Sequence, residues 1–388
     1  MVACIGRSTP FLVADATGIE VPEVGECLRH VSAGDFSAAS VRSYAMALLR
    51  WLRFLHVVGV AWDRADLPEA RDFVLWMRRA RPARPRQDGG PVPGSVNART
   101  GKRVLGTTFA PATINHNLAV VSEFYRFHMD MGGGPLRNPV PSRGRLRVGT
   151  SPLEPFRHGR RAALRQRVPD HEPRAIPDNM FDELFVALPS DRDRAIVALY
   201  VSTGARPSEL LGIRGTDIDY GDQLIAVSRK GTRATQWLPA SPDSFVWLRL
   251  YQQSLPSELL AADQPVWWTL RRPWRALDYD AMRAVLRRVN AMLGTNWTLH
   301  DLRHTFAVRM AADPKVPLVS LQLLLGHAHL STTERYLRPH LEQVIAHARE
   351  HHSRNRTPGV TGEQGPALGY EADDLQTLFG RRDSGGDQ

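Results

Sequence analysis

From Phe36 onward, apolar and polar positions alternate along the chain with helical spacing. Ala45, Leu48, Leu49, Leu52 and Leu55 fall three and four residues apart, which gathers them into one apolar stripe. Gly59 is the natural stop for that helix. A second helix is expected over about 68–79, with Phe73, Val74 and Met77 on one side. A third is expected over about 112–131, using Ile114, Leu118, Val121 and Tyr125 and ending at Gly132-Gly133-Gly134. Between the second and third, residues 81–108 are rich in Arg, Pro and Gly and read as a mobile loop insertion. Residues 1–35 show little periodicity and are expected to form an N-terminal lead. Residues 36–141 thus make a small helical domain.

After Pro177 the helical pattern resumes, over 181–188 and 192–201, and closes at Gly204. Leu224-Ile225-Ala226-Val227 has the texture of a short strand, Arg229-Lys230-Gly231-Thr232 of a turn, and 234–238 of the returning strand. Further helices are expected over 281–293, 299–312, 318–325, 331–337 and 340–351. The chain therefore reads as mainly α with a small β-hairpin or sheet. A second domain spans 177–352, and a polar, largely disordered tail is expected over 353–388. No period of 20 to 50 residues repeats, which sets solenoids and propellers aside.

Composition sharpens this picture. At 388 residues, a prior of roughly 150 per domain suggests two or three domains. Apolar residues make up 43% and charged residues 23%, ordinary for a protein with packed cores. The formal net charge is +10 and the pI about 10.2, which points to a polyanionic partner, nucleic acid first. Residues 142–176 form a basic linker. Over 142–167 Arg143, Arg145, Arg147, Arg157, Arg160, Arg161, Arg165 and Arg167 stand against the single acid Glu154, as a strap along a DNA backbone would. Two cysteines are no disulfide framework, and they fit a reducing cytosol. The start lacks a cationic segment followed by an apolar one, and no run approaches the length of a membrane span, so no membrane partner is expected. Lysine occurs only at Lys102, Lys230 and Lys315, so each is conspicuous in an arginine-rich chain.

Two familiar chemistries fail on inspection. Thr100-Gly101-Lys102 resembles the end of a phosphate-binding loop, but Val96 stands where glycine is needed and Arg103 where Ser or Thr is needed. His327-Ala328-His329 has no Cys or carboxylate partners of metal-ligand spacing. No metal or cofactor is expected.

Four other segments converge. In Thr203-Gly204-Ala205-Arg206-Pro207-Ser208-Glu209-Leu210, Gly204 closes one helix and Pro207 opens the next, leaving Arg206 at a helix start, where an anion is favoured. Lys230 sits at the hairpin tip, where an ammonium, unlike a guanidinium, can give up a proton. In Thr298-Leu299-His300-Asp301-Leu302-Arg303-His304, Thr298 and Asp301 resemble a capping box, so His300 and Arg303 share the first turn of a helix anchored by Leu302, Phe306 and Met310. In Leu325-Gly326-His327, the glycine stops a helix and leaves His327 in the joint, with Tyr336 nine positions further on. Each residue alone is ordinary. Together they supply fixed cations for a phosphodiester, an acid for a leaving hydroxyl, and a phenol that can attack. Such attack conserves the bond energy in a phosphotyrosine, so ATP is not required.

In order and spacing these segments resemble the signature of the tyrosine recombinase (phage-type integrase) family. The match covers about 177–351, while 36–140 is similar to the family's helical core-binding (SAM-like) domain in pattern only. The resemblance implies that Arg206 and Arg303 clamp the scissile phosphate and that Lys230 is the general acid. It makes His300 the group that assists Tyr336 as base, gives His327 a hydrogen bond to the phosphate, and has Glu209 support the site. It further implies a C-shaped clamp on double-stranded DNA and four protomers acting together, in the cytoplasm at a bacterial nucleoid, with accessory recombination proteins as further partners. With only about 35 residues before the first expected helix, a mobile-element enzyme fits better than an integrase needing arm sites. A chromosome-dimer-type recombinase, a type IB topoisomerase and a catalytically silent DNA-binding regulator are the alternatives.

Overall fold

A computed structural model describes residues 2–4, 9–15, 17–82, 92–104, 106–140, 164–169, 174–229, 232–327, 332–333, 336 and 349. It is mostly helical, with small antiparallel sheets. The first body holds strands β1 (Val2–Cys4) and β2 (Leu12–Ala14), then helices α1 (Pro22–Ala33), α2 (Ala38–Val58), α3 (Leu67–Arg79) and α4 (Pro111–Asp130). The apolar stripe of α2 is buried as its spacing requires, and Gly59 ends the helix in the left-handed conformation at φ 73°. Around it, Trp51, Phe73, Phe124 and Tyr125 fill the core, and the Tyr125 hydroxyl stays satisfied by donating to the Trp62 carbonyl at 2.5 Å.

Two expectations are corrected here. Residues 1–35 are no mere lead: β1 pairs with β2, and α1 buries Val24, Cys27, Leu28 and Val31 in the same core as α2. That three-and-four spacing is present in the sequence, but Gly25 and the short length of α1 mask it. The insertion is also not simply a loose loop. Its residues 92–104 turn back on themselves through an antiparallel bridge between Val96 and Arg103, and they are hydrogen-bonded to the second body.

That second body comprises α5 (Asp178–Val186), α6 (Asp191–Thr203), α7 (Pro207–Leu211), a three-stranded sheet, and helices α8 (Pro242–Gln253), α9 (Tyr279–Leu293), α10 (Leu299–Ala312) and α11 (Leu318–Leu325). The sheet order is β3 (Ile218–Asp219), β4 (Leu224–Ser228), β5 (Thr235–Pro239), all antiparallel, with Ile225 opposite Leu238 and Val227 opposite Gln236. The short strand β3 and helix α8 were not anticipated. α6 is apolar on most sides because α8 and α10 both pack on it, burying Ala195, Ile196, Val197, Leu199 and Tyr200. The expected helices at 331–337 and 340–351 lie outside the described residues except for Thr332, Thr333, Tyr336 and Arg349, and the expected tail lies wholly outside them. Among the described residues no helix is long and apolar enough to cross a membrane.

One close approach positions the site. Gly204 ends α6 at φ 63°, and a Cβ there would sit 2.2 Å from the Phe306 ring of α10. Only glycine lets α6 end against α10. Gly204→Ala combines a left-handed strain with overpacking and should cost roughly 2–4 kcal/mol. Urea denaturation would show this as a lowered midpoint at unchanged slope, and an unmoved midpoint would contradict the contact.

Candidate active site

The site is assembled at the carboxyl end of α11. The last carbonyls of any helix lack partners within it, and they carry the negative end of its dipole. Here three guanidinium groups supply the missing donors. Arg229 Nη2 donates to the Leu324 carbonyl at 2.5 Å, Arg303 Nη2 to Leu325 at 2.6 Å, and Arg206 Nη2 to Gly326 at 3.2 Å.

Glu209 ties two of these arginines together. Its Oε2 accepts from the Arg206 backbone N–H at 2.8 Å, closing the first turn of α7, and from Arg229 Nη1 at 2.9 Å. Its Oε1 accepts from Arg206 Nη1 at 2.7 Å. The carboxylate is fully buried. Burial works to raise its pKa, but the Arg206 hydrogen bonds and the charges of Arg206 and Arg229 outweigh that and hold it below the usual range.

Arg303 lies on the second turn of α10 and is buried, with Nη1 donating to the Gly204 carbonyl at 2.6 Å. Burial, and then the neighbouring Arg206 cation, pull its guanidinium down to about 10, so it remains charged at neutral pH. His300 was expected to share a face with Arg303. Three residues leave them about 60° apart on the helix, enough that Arg303 turns inward while His300 stays exposed. His327 Nε2 lies 3.2 Å from Arg303 Nη2, and its Nδ1 lies 2.9 Å from the Thr333 hydroxyl.

Tyr336 reaches this cluster from the other side. Its ring stands parallel to that of His327 at 6.4 Å, and it packs on a small core of Phe306, Ala307, Leu321 and Leu325. Its hydroxyl lies 2.9 Å from Nδ1 of His304. The resemblance implied that His300 assists Tyr336, whereas the structure brings His304 to the phenol and sets His300 edge-on to His304 at 4.3 Å.

Arg206, Glu209, Arg303, His327 and Tyr336 are therefore gathered in one place. Lys230 lies outside the described residues, as do Arg143, Arg145, Arg147, Arg157, Arg160 and Arg161. Arg165 and Arg167 are described and exposed, on either side of Gln166, which is held by Asn115 and Arg78 of the first body. Sequence reasoning missed Arg229 and His304. Strand alternation could have found Arg229, since Ile225, Val227 and Arg229 face the same way. His304 is one turn after His300 and shares its side of α10. Among the described residues, no three His, Cys, Asp or Glu side chains are grouped to hold a metal ion.

A basic cage around a buried carboxylate, with a phenol beside it, has the charge and donors to receive an oxyanion. Comparison with known proteins makes this specific. Residues 179–343 match the phage integrase family. Tyrosine recombinase XerD of Lacticaseibacillus casei is 28% identical over 258 residues, covering 64% of this chain and 79% of that protein. XerC of Syntrophus aciditrophicus is 33% identical over 179 residues, covering 42% of this chain and 57% of that protein. The fold also matches the Tn1549 transposon integrase in complex with circular intermediate DNA. That likeness has a TM-score of 0.56 at 15% identity, over 84% of this chain and 98% of that one. A lambda integrase dimer bound to a COC' core site gives 0.54 at 14% identity, over 81% and 94%. Residues 179–343 thus carry the likeness to the phage integrase family, and the relatives it resembles are tyrosine recombinases, which are site-specific DNA recombinases.

Three guanidinium groups around one carboxylate leave the cage two charges positive, so an oxyanion should stabilise it. Sulfate at a hundredfold over its Kd should add about 2.7 kcal/mol. Because the Arg303 pKa is lowered on folding, its unmatched charge penalises the folded state below about 10 and is relieved only as pH rises through that value. The sulfate gain should therefore stay level from pH 7 to 9 in thermal melts and shrink in Arg206→Ala. An equal gain in that variant would mean the anion binds elsewhere.

Proposed function

We propose that this chain is a site-specific recombinase of a mobile element that cuts and rejoins double-stranded DNA through a 3′-phosphotyrosine on Tyr336. The observation that carries this reading is the placement of the Tyr336 hydroxyl at His304, beside the Arg206–Arg303–His327 cluster. The Tyr336 oxygen attacks phosphorus and forms the new ester while the bond from phosphorus to the 5′ oxygen breaks. The phenol proton passes to the His304–His300 pair. Arg206 and Arg303 neutralise the charge that grows on the phosphate oxygens, His327 donates to one of them, and Glu209 fixes Arg206 and Arg229 in position. Lys230 gives the proton to the departing 5′ oxygen. Reversal with a second DNA end rejoins the strand, so the energy of the phosphodiester is conserved and ATP has no part.

Strand exchange between two sites calls for a tetramer on paired DNA, with accessory recombination proteins setting its direction. The basic residues of 142–167 are its strap on the duplex. The chromosome-dimer-type recombinase uses the same chemistry. Release of a DNA circle bounded by element ends supports the mobile-element reading, and exchange confined to a fixed chromosomal site supports the other.

Two substitutions test the chemistry. Tyr336→Phe keeps the ring packed and removes the oxygen, so site binding should persist with no covalent adduct on a nicked suicide substrate. An adduct in this variant would place the nucleophile elsewhere. Tyr200 is a poor substitute, because its hydroxyl is buried in the main core and burial pushes its pKa upward.

Lys230→Arg keeps the charge but holds its protons too tightly to release one, so cleavage should fall roughly 10²–10⁴-fold. A 5′-bridging phosphorothiolate has a leaving group that needs no acid and should restore cleavage by this variant, but not by Arg206→Ala. Equal rescue of both, or of neither, would take the acid's role from Lys230.

A further inference from the structure

The hairpin at 92–104, which connects α3 to α4 of the first body, is fastened to the start of α10. Its own shape is fixed first. The Asn97 N–H donates to the Lys102 carbonyl at 2.8 Å and the Gly101 N–H to the Asn97 carbonyl at 2.8 Å, with Gly101 left-handed at φ 64°. The Asn97 side-chain oxygen also accepts from the backbone of Arg99 and Thr100.

This rigid turn meets the joint between α9 and α10. Asn97 Nδ2 donates to the Gly294 carbonyl at 2.9 Å, and Arg99 Nη1 to the Leu293 carbonyl at 2.6 Å, while Arg99 Nη2 pairs with Glu183 at 2.6 Å. A cation at the end of α9 is well placed for that helix's dipole. Lys102 goes furthest. Its ammonium lies over the Trp297 ring at 5.4 Å, donates to the Asn296 carbonyl at 3.3 Å and forms an ion pair with Asp301 Oδ2.

Asp301 Oδ2 is also the atom that caps α10, accepting from the Thr298 N–H and hydroxyl, both at 2.7 Å. One oxygen thus holds the first turn of α10 and a lysine from the other body. Asp301 follows His300 directly and precedes Arg303 and His304 by two and three positions. A solvent-exposed ion pair would be worth about 0–1 kcal/mol and would place nothing. This pair is largely screened from water, with side-chain exposures of 20% and 10%, and it is surrounded by four further hydrogen bonds.

We propose that Lys102 is a positioning residue for strand cleavage, supplied by the first body. Its ammonium fixes Asp301 and so sets the turn of α10 that carries His300, Arg303 and His304. The active site is then complete only when the hairpin of the first body is seated. This rests on the proposed strand-transfer reading of the site, and the test separates the two.

The test uses the full chain with Lys102→Met, which keeps length but loses charge, and Lys102→Cys, which 2-bromoethylamine converts to a lysine-like side chain. Wild-type protein treated in parallel corrects for Cys4 and Cys27. Single-turnover adduct formation by Lys102→Met should fall roughly 10- to 100-fold, with affinity for the DNA site held within twofold. Aminoethylation of the cysteine variant should restore the rate, and hydrogen exchange at 299–304 should quicken in Lys102→Met and return with the amine. An unchanged rate, a rate that falls only in step with affinity, or unchanged exchange would overturn the proposal. Absence of adduct from the wild type would overturn the strand-transfer reading instead, and hydrogen exchange would still decide whether Lys102 sets α10.

Discussion

The structure of the second body turns on the contest for the carboxyl end of α11. Three consecutive carbonyls, those of Leu324, Leu325 and Gly326, are met by Arg229, Arg303 and Arg206, and one buried carboxylate pairs with two of the three guanidinium groups. Burying cations without matching anions is costly, and the depressed Arg303 guanidinium records that cost. The carbonyl dipoles and Glu209 offset only part of it. Under the proposed function the remaining positive charge is what a DNA phosphate would meet, held in place by these contacts.

Much of the surrounding architecture follows from bringing these arginines to one point. Arg206 arrives because Gly204 ends α6 against Phe306, and Arg303 arrives because α10 packs on the same helix. Arg229 arrives from the inward face of β4, with Gln236 of β5 accepting from its Nε at 2.7 Å. The sheet thus delivers one buried arginine to the cage. The two bodies keep separate apolar cores, and hydrogen bonds and ion pairs join them. Among them are the ion pair of Lys102 at the start of α10 and that of Arg233, beside the β4–β5 hairpin, with Asp35.

The sequence revealed most where spacing is local. The stripe of α2, the capping box of Thr298 and Asp301, and the glycine stops at 59, 204 and 326 are each legible within a dozen residues. Helix α1 was obscured by Gly25, and α8 carries Phe245, Leu248 and Tyr251 at helical spacing that went unremarked. In the site, the positions that define the family signature could be read directly. Arg229 could not be told from a solvated turn residue without weighing strand alternation. Lys102 lies 199 positions from Asp301, and no local pattern encodes such a pairing.

Tyr336 is held differently from the arginine cage. Arg206, Arg229 and Arg303 are anchored beside the large core, which runs from Ile176 to Leu302. Tyr336 rests instead on a satellite cluster of Phe306, Ala307, Leu321 and Leu325, with His304 and Thr333 as its polar contacts. Under the proposed function this division places the charge-stabilising arginines beside the large core and the attacking phenol beside the small one, with His304 holding the phenol oxygen at 2.9 Å.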